Sequence, residues 1–358
     1  MNKIDKTVNA GVHNSIGIEF QKHCALYLLF SNFSELENSR YFICIENYDD
    51  ILFCYLNEDD LVSSIDAYQA KKSSTTWNLM QLIDPIKKIL RVGTTLRNDP
   101  IDRDEDYTHK LCFLTNNNII LSTKACKSKV TINESNQVVK YVNLKNSLQL
   151  KIKVEVQKLL SENSKSIDEL QNLSLAYIDL PRTSIKQKNT LVGQFGDIFG
   201  DKVSKHKAAV DTLIMLFRDV ENELNKGNRA NLLDAAKRVS SVQITEAIDI
   251  ITKQQLGFEL WRSKKNELSI KLEIPIAERT IFEFNFVNSF DLFKDLLQAE
   301  HQKILLFVRK NTGILTTTFT ETECIEKLYE EFNKNNRTQL KPIELKAAIC
   351  AAFIMIEN

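Results

Sequence analysis

Glu46-Asn47-Tyr48-Asp49-Asp50 and Tyr68-Gln69-Ala70-Lys71-Lys72 are the two stretches that decide the fold of this chain. The first is an acidic turn between two apolar runs, and the second ends a third run with strand character. Successive side chains of a strand point to opposite faces, so Gln69 and Lys71 share one face. We therefore expect Asp50 from the turn to meet this amide and this lysine at one edge of a sheet.

These groups suit a divalent metal ion held against a phosphodiester. Mg²⁺ prefers oxygen ligands, usually one or two carboxylates together with waters and phosphate oxygens. The candidate metal ligands are Asp50, Gln69, Glu46 and Asp49. Lys71 would orient the attacking water or stabilise the charge that develops on the phosphoryl oxygens. The predicted cofactor is Mg²⁺ or Mn²⁺, and no residue is assigned to an organic cofactor.

Apolar spacing on both sides of the two stretches predicts the order helix, strand, strand, strand, helix, strand. The predicted helices begin near residues 16 and 77, and the predicted strands cover 41–45, 51–56, 64–71 and 111–114. The second helix carries Leu79, Leu82, Ile83, Ile86 and Ile89 at helical spacing. The predicted fold class is α/β (α+β), with an αβββαβ core.

This element order, with these residues, resembles the PD-(D/E)xK nuclease superfamily and its restriction-endonuclease-like core. It is more closely similar to the double-stranded-DNA endonuclease domain of bacterial anti-phage effectors in the CBASS and Lamassu systems. The matching residues are 17–21, Glu46, 49–50, 68–71, Trp77 and 113–116. The resemblance implies that the chain hydrolyses DNA with the catalytic residues Asp50, Gln69, Lys71 and Glu19. The superfamily's usual acid before the lysine is glutamine here, as in the related anti-phage nucleases.

Each of these signals has a simpler interpretation when it is taken alone. Asp49 and Asp50 after an asparagine are typical of turns, because Asn and Asp side chains bond to the nearby backbone. A lysine pair near a strand end is typical of a solvated sheet edge. Glu19, in the first turns of a helix, is favoured there by the helix dipole without any function. Only the conjunction of these residues with the element order favours a nuclease.

Charge and composition limit how the chain would bind DNA. Its 358 residues carry 47 basic and 47 acidic side chains, and this balance argues against constitutive coating of DNA. A basic stretch follows the predicted core, and the candidate DNA-binding residues are Lys72, Lys124, Lys127 and Lys129. An ordinary solvated surface is the alternative explanation for these lysines.

Several other classes of protein are disfavoured. The chain has no GxxxxGK[ST] loop and no GxGxxG, so an ATPase activity would come from another chain. It has no HExxH zinc motif either. It also shows no apolar segment typical of a signal peptide and no run long enough to span a bilayer. Its seven cysteines are scattered without zinc-ligand spacing. We therefore expect a cytoplasmic protein that has no membrane partner.

Two domains are predicted, with the boundary at Gly227-Asn228. Residues 1–226 would form the nuclease domain, and residues 227–358 a mixed, mostly helical domain for oligomerisation or partner docking. In this second part the pattern favours strands at 268–276 and 282–286. A CBASS effector with a SAVED domain usually needs a longer chain, so length favours the Lamassu resemblance. That resemblance implies an SMC-like ATPase and a small accessory subunit as partners, or alternatively a HerA-like ATPase, with a homo-oligomer as the active form.

Two rival functions are left open by the sequence. The chain could be a catalytically inactive DNA-binding or structural subunit of a defence complex, because Gln69 removes one charged ligand. It could also be a sequence-specific restriction-type endonuclease, which would require base-edge contacts at defined positions.

Overall fold

The chain forms two compact units. The computed structural model describes residues 10–123, 126–160, 165–200, 203, 205–223, 231–295 and 297–356. The N-terminal unit comprises Met1–Ile198 and His206–Ile244, and the C-terminal unit comprises Phe199–Lys205 and Thr245–Asn358. The boundary expected from the sequence lies within 224–230, outside the described residues, whereas the structural division falls after Ile244.

The N-terminal unit contains the predicted order of elements with several additions. Its helices are α1 (Ala10–Ser31), α2 (Phe33–Leu36), α3 (Leu79–Arg97), α4 (Asn146–Gln157), α5 (Ser184–Phe199) and α6 (His206–Asn222). Its strands are β1 (Tyr41–Ile45), β2 (Ile51–Leu56), β3 (Val62–Lys71), β4 (Trp77–Asn78), β5 (Arg103–Thr115), β6 (Ile119–Thr123), β7 (Cys126–Ile132), β8 (Val138–Lys140), β9 (Leu173–Tyr177) and β10 (Val239–Ser240).

A mixed seven-stranded sheet in the order β10-β1-β2-β3-β5-β9-β8 forms the centre of this unit. β1, β2 and β3 are antiparallel neighbours, whereas β3, β5 and β9 run parallel. Parallel neighbours cannot be joined by a hairpin, and α3 provides the crossover from β3 to β5. The mixed α/β class predicted from the sequence is therefore confirmed, with a central sheet covered by helices.

α3 packs on the sheet through the apolar face that its sequence predicts. Leu79, Leu82, Ile83, Ile86 and Ile89 are all buried in the core of this unit. Burying such side chains contributes about 1.5–3 kcal/mol each relative to full exposure. The helix begins at Leu79, two residues later than expected, because Asn78 caps it and Trp77 pairs with Ile119 in a second sheet.

The second sheet is small and has the order β4-β6-β7. Its strand β7 carries Lys129, whose side chain is exposed. Lys124 and the side chain of Lys127 lie outside the described residues, so the structure gives no position for them.

Every regular element that the structure describes in the C-terminal unit is a helix. Its helices are most of α7 (Ser241–Lys271), then α8 (Arg279–Lys294), α9 (Ala299–Lys310), α10 (Glu321–Asn335) and α11 (Pro342–Ile356). The prediction of strands at 268–276 and 282–286 is wrong, because α7 extends to Lys271 and α8 includes 282–286. Phe282, Phe286, Phe290 and Phe293 recur with the period of a helix and are all buried in the core of this unit.

The core of this unit is built on α11, which is buried on nearly every side. Its small residues Ala347, Ala348, Ala351 and Ala352 are fully buried. Small side chains let neighbouring helices approach closely, and α11 packs against α8 and α9. In the described part of the chain, no helix has both the length and the apolar character that crossing a bilayer requires.

Candidate active site

The acidic turn between β1 and β2 forms one side of the site. Its backbone closes when the Glu46 N–H donates to the Asp50 carbonyl at 3.2 Å, and Glu46 adopts a left-handed φ of 52°. Counted as whole residues, Asp49 and Asp50 are only 4% and 3% exposed. The Asp49 Oδ1 accepts from the Asp50 N–H at 3.0 Å, so one carboxylate does take part in the turn. Turn chemistry alone, however, does not explain why both carboxylates are buried.

The register of β2 and β3 brings the second stretch onto this turn. Ile51 pairs with Tyr68, so the next position outward sets Asp50 opposite Gln69. The Gln69 Nε2 donates to Asp50 Oδ2 at 2.5 Å, and the Lys71 Nζ lies 3.3 Å from the same oxygen. The structure therefore brings together these three residues, as the strand alternation predicted.

A lysine that the sequence did not single out completes the cluster. Lys88 on α3 places its Nζ 3.7 Å from Asp49 Oδ1 and 3.7 Å from Asp50 Oδ1. No local pattern could have found it, because Lys88 is one of two adjacent lysines on the same amphipathic helix. Only the packing of α3 on the sheet selects this one.

The cluster opens into a cavity of about 780 Å³. Its lining comes from α1, the acidic turn, the end of β3, α3 and the segment after β9: Ile16, Gly17, Ile18, Gln21, Glu46, Asp50, Ala70, Lys71, Lys72, Ser73, Ser74, Lys88 and Arg182. Four of these side chains are basic and two are acidic, so the lining carries a net positive charge. Such a surface suits an anionic ligand.

Glu19 does not share this cavity. Its Oε1 accepts from Arg218 Nη2 at 3.0 Å, and its Oε2 lies 3.5 Å from Lys22 Nζ. Residues 17, 18 and 21 of α1 line the cavity instead. Helix positions three and four apart lie on one face, and Glu19 lies off that face. Among the α1 side chains that the structure describes, Gln21 is therefore the polar one at the site.

Asn116 connects two loops at the cavity. It lies in the 113–116 stretch that matches the nuclease family, but the sequence alone predicted no role for it. Its Oδ1 accepts from the Ser73 N–H at 3.1 Å, and its Nδ2 donates to the Leu180 carbonyl at 3.2 Å. The first loop carries Lys72 and the second carries Arg182. Asn116 therefore positions both basic residues, although it does not line the cavity itself.

The electrostatics of Asp49 are unusual for a carboxylate. Burial and, to a lesser extent, the Asp50 charge raise the pKa of Asp49 to about 7, although Lys88 and Lys71 act to lower it. Two buried oxygens at the cluster, Asp49 Oδ2 and Gln69 Oε1, have no hydrogen-bond partner in the described part of the chain, and neither has Gln21 Oε1. Buried polar atoms normally have partners. These oxygens are therefore available to a hydrogen-bond donor or to a cation that coordinates oxygen.

Comparison with known proteins assigns the N-terminal part of the chain to a family. The family described as Cap4, dsDNA endonuclease domain, matches residues 9–222. This match includes every element that lines the cavity. The chain belongs to this family.

One solved structure shows a distant likeness. It is a Cap4 SAVED/CARF-domain containing receptor from Moraxella osloensis, with 13% identity over 57% of this chain and 43% of that chain, at a TM-score of 0.31. The chain thus covers less than half the length of that receptor. No curated protein matches the chain at a significant level.

Proposed function

We propose that this chain is a metal-dependent endonuclease that cleaves double-stranded DNA as the effector of a bacterial anti-phage defence system. The observation that carries the proposal is the meeting of Gln69, Lys71 and the buried Asp50 carboxylate at the wall of a basic cavity. Membership in a family of dsDNA endonuclease domains supports the same reaction.

The residues present fit a divalent cation, although the set is small. Within the described residues, no group of three His, Cys, Asp or Glu side chains forms a metal site. Mg²⁺ needs only one or two protein carboxylates, because waters and phosphate oxygens supply its other ligands. Asp50 and the side-chain carbonyl of Gln69 would hold the cation. At present Gln69 Nε2 faces Asp50, and a half-turn rotation of the amide would place the unpartnered Oε1 there instead. Glu46 lines the same cavity.

When bound, the metal would neutralise phosphoryl charge and make a bound water more acidic. The chain's own residues bind and orient the substrate around it. Lys71 lies at the cluster and would stabilise charge on the phosphoryl oxygens, since a lysine is a compact point charge. Lys72 and Arg182 line the cavity on loops fixed by Asn116 and would contact neighbouring backbone phosphates. Such contacts carry no sequence information, which favours cleavage with little sequence preference.

Cleavage of plasmid DNA tests the reaction directly. The full chain is incubated with supercoiled plasmid in Mg²⁺, in Mn²⁺ and in excess chelator, after activation by its partners where these are required. We expect metal-dependent cleavage that Asp50→Asn abolishes. Asp84→Asn is the matched control, because the Asp84 side chain is 82% exposed on α3 and lies outside the cavity.

The same assay separates the rival functions. DNA binding without cleavage in any metal would indicate an inactive subunit. Cuts confined to one sequence would indicate a restriction-type enzyme, whereas dispersed cuts support the defence effector.

We further propose that assembly controls the activity. A nuclease with little sequence preference would destroy the host's DNA if it were always active, and one site cuts only one strand at a time. The C-terminal unit would then bind partners or further copies of the chain, with an SMC-like ATPase and a small accessory subunit, or a HerA-like ATPase, as the candidates. Sizing the chain alone and with each co-expressed partner tests this, and a fully active monomer making double-strand breaks contradicts it.

A further inference from the structure

We propose that Lys88 is the internal counterion of the acid pair and that it moves onto a DNA backbone phosphate when a divalent cation enters the site. The inference deepens the proposed function and rests on it. It assigns to Lys88 a role in DNA binding, which differs from the charge stabilisation assigned to Lys71.

Lys88 covers one particular side of the acid pair. Asp50 Oδ2 is contacted by Gln69 and Lys71, whereas Asp50 Oδ1 and Asp49 Oδ1 both lie 3.7 Å from the Lys88 Nζ. The ammonium group thus neutralises the Asp50 carboxylate, which the proposed cation would also bind. A second positive charge on this carboxylate would strongly repel the ammonium group, because Coulomb energy rises steeply at such distances.

Lys88 is free to leave this position, whereas the carboxylates are not. Its side chain is 53% exposed, while those of Asp49 and Asp50 are 0% and 4% exposed. The backbone of α3 is anchored by the buried Ile86 and Ile89 on either side of it. A long, flexible stem on a fixed helix allows the ammonium group to swing while its base stays in place.

The cavity determines where the displaced charge would go. Lys88 lines the cavity together with Lys71, Lys72 and Arg182, and the substrate's phosphates are the anions that enter it. An ammonium group that loses its carboxylate partners would pair with one of these phosphates. Lys88 would therefore weaken metal binding in the free chain and strengthen DNA binding in the loaded one.

The first experiment measures metal binding to the full chain without DNA. Calorimetric titration with Mn²⁺ at mildly alkaline pH compares the wild type with Lys88→Ala, Lys87→Ala and Asp50→Asn. We expect Lys88→Ala to bind Mn²⁺ about three- to tenfold more tightly, since a nearby like charge is removed. Lys87→Ala is the matched control, because Lys87 is the neighbouring lysine on α3, pairs with Asp84 and does not line the cavity.

The second experiment measures DNA binding in Ca²⁺ over a range of salt concentrations. Each phosphate contact adds about 0.9 to the slope of log affinity against log salt. We expect Lys88→Ala to reduce this slope by about 0.9 and Lys88→Arg to restore it, with no change in Lys87→Ala. Thermal unfolding of each variant verifies that the chain remains folded.

The outcomes separate this inference from the proposed function. If Asp50→Asn binds Mn²⁺ as the wild type does, the metal site is wrong and both proposals fail. If Asp50→Asn loses the metal but Lys88→Ala leaves metal affinity or the salt slope unchanged, the inference about Lys88 alone is overturned. Tighter metal binding together with a smaller salt slope supports it.

Discussion

Two buried carboxylates of the N-terminal unit, Asp49 and Glu169, have opposite electrostatic environments. Burial alone would raise the pKa of Glu169, but hydrogen bonds from His109, Arg97 and Asn172 lower it to about 2. Burial raises the pKa of Asp49 to about 7, and its Oδ2 has no partner in the described part of the chain.

The contacts explain this difference. Glu169 Oε1 accepts from Arg97 Nε at 2.5 Å, and Glu169 Oε2 lies 2.7 Å from His109 Nε2 and 2.8 Å from Asn172 Nδ2. These donors link α3, β5 and the 3-10 helix Lys165–Asn172. Asp49 and its neighbour Asp50 instead face lysines on flexible stems. A carboxylate saturated by several donors stabilises the fold, whereas one with an open oxygen and movable cations is suited to a ligand.

The largest expected effect is a loss of DNA cleavage when the charge of Lys71, beside Asp50, is removed. Lys71→Ala should lower the rate of DNA cleavage about 10²–10³-fold while the fold stays intact, because the lost charge stabilises the transition state and no core cavity forms. Plasmid cleavage and thermal unfolding measure the two effects. Lys110→Ala is the control, since Lys110 also pairs with an aspartate, Asp66, at 3.5 Å but lies outside the cavity. Near-normal cleavage by Lys71→Ala would contradict the assignment.

Removal of the Glu169 carboxylate should lower the stability of the fold. Glu169→Ala should lower the free energy of unfolding by about 3 kcal/mol, because it leaves the buried His109, together with Arg97 and Asn172, without its acceptor. Denaturant unfolding followed by circular dichroism measures this. Glu155→Ala, which breaks the exposed pairs with Lys151 and Lys158, should leave the unfolding midpoint almost unchanged. Equal effects of the two variants would mean that Glu169 is not a structural anchor.

The pH dependence of stability should carry the signature of Glu169. Its pKa is lowered from 4.5 in the unfolded chain to about 2 in the folded one. The folded state therefore binds this proton less readily, and the stabilisation present above 4.5 is lost as the pH falls toward 2. Denaturant midpoints measured from about pH 5 to about pH 3 should fall more steeply for the wild type than for Glu169→Gln. Parallel pH profiles would refute the prediction.

The smallest expected effects distinguish two neighbours on α1. Gln21→Ala should slow cleavage about tenfold, the equivalent of one lost polar contact at the site. Glu19→Gln should stay within about twofold of the wild type, because its contacts are with Arg218 and Lys22 rather than with the cavity. Cleavage rates under identical metal conditions decide between them. The reverse order would restore the catalytic role that the sequence predicted for Glu19.

Much of the site could be predicted from the sequence, because Gln69 and Lys71 lie on β3 and Asp50 directly precedes the neighbouring strand β2. The antiparallel pairing of β2 with β3 sets Asp50 opposite Gln69, and strand alternation places Lys71 on the same face. These are short-range consequences of local structure. The same reasoning failed for 282–286, where Phe282, Phe284 and Phe286 alternate as in a strand. The buried phenylalanines 282, 286, 290 and 293 instead recur with the period of a helix.

The sequence by itself determined the order of the core elements, the apolar face of α3 and the acid, amide and lysine at the sheet edge. The tertiary structure decided which residues from distant elements join them: Lys88 from α3, Arg182 after β9, and Gln21 rather than Glu19 from α1. Periodicity specifies which face of an element is buried, since that face is apolar over many residues. The choice of one polar side chain at a site depends on how the elements pack against each other, and no local pattern encodes it.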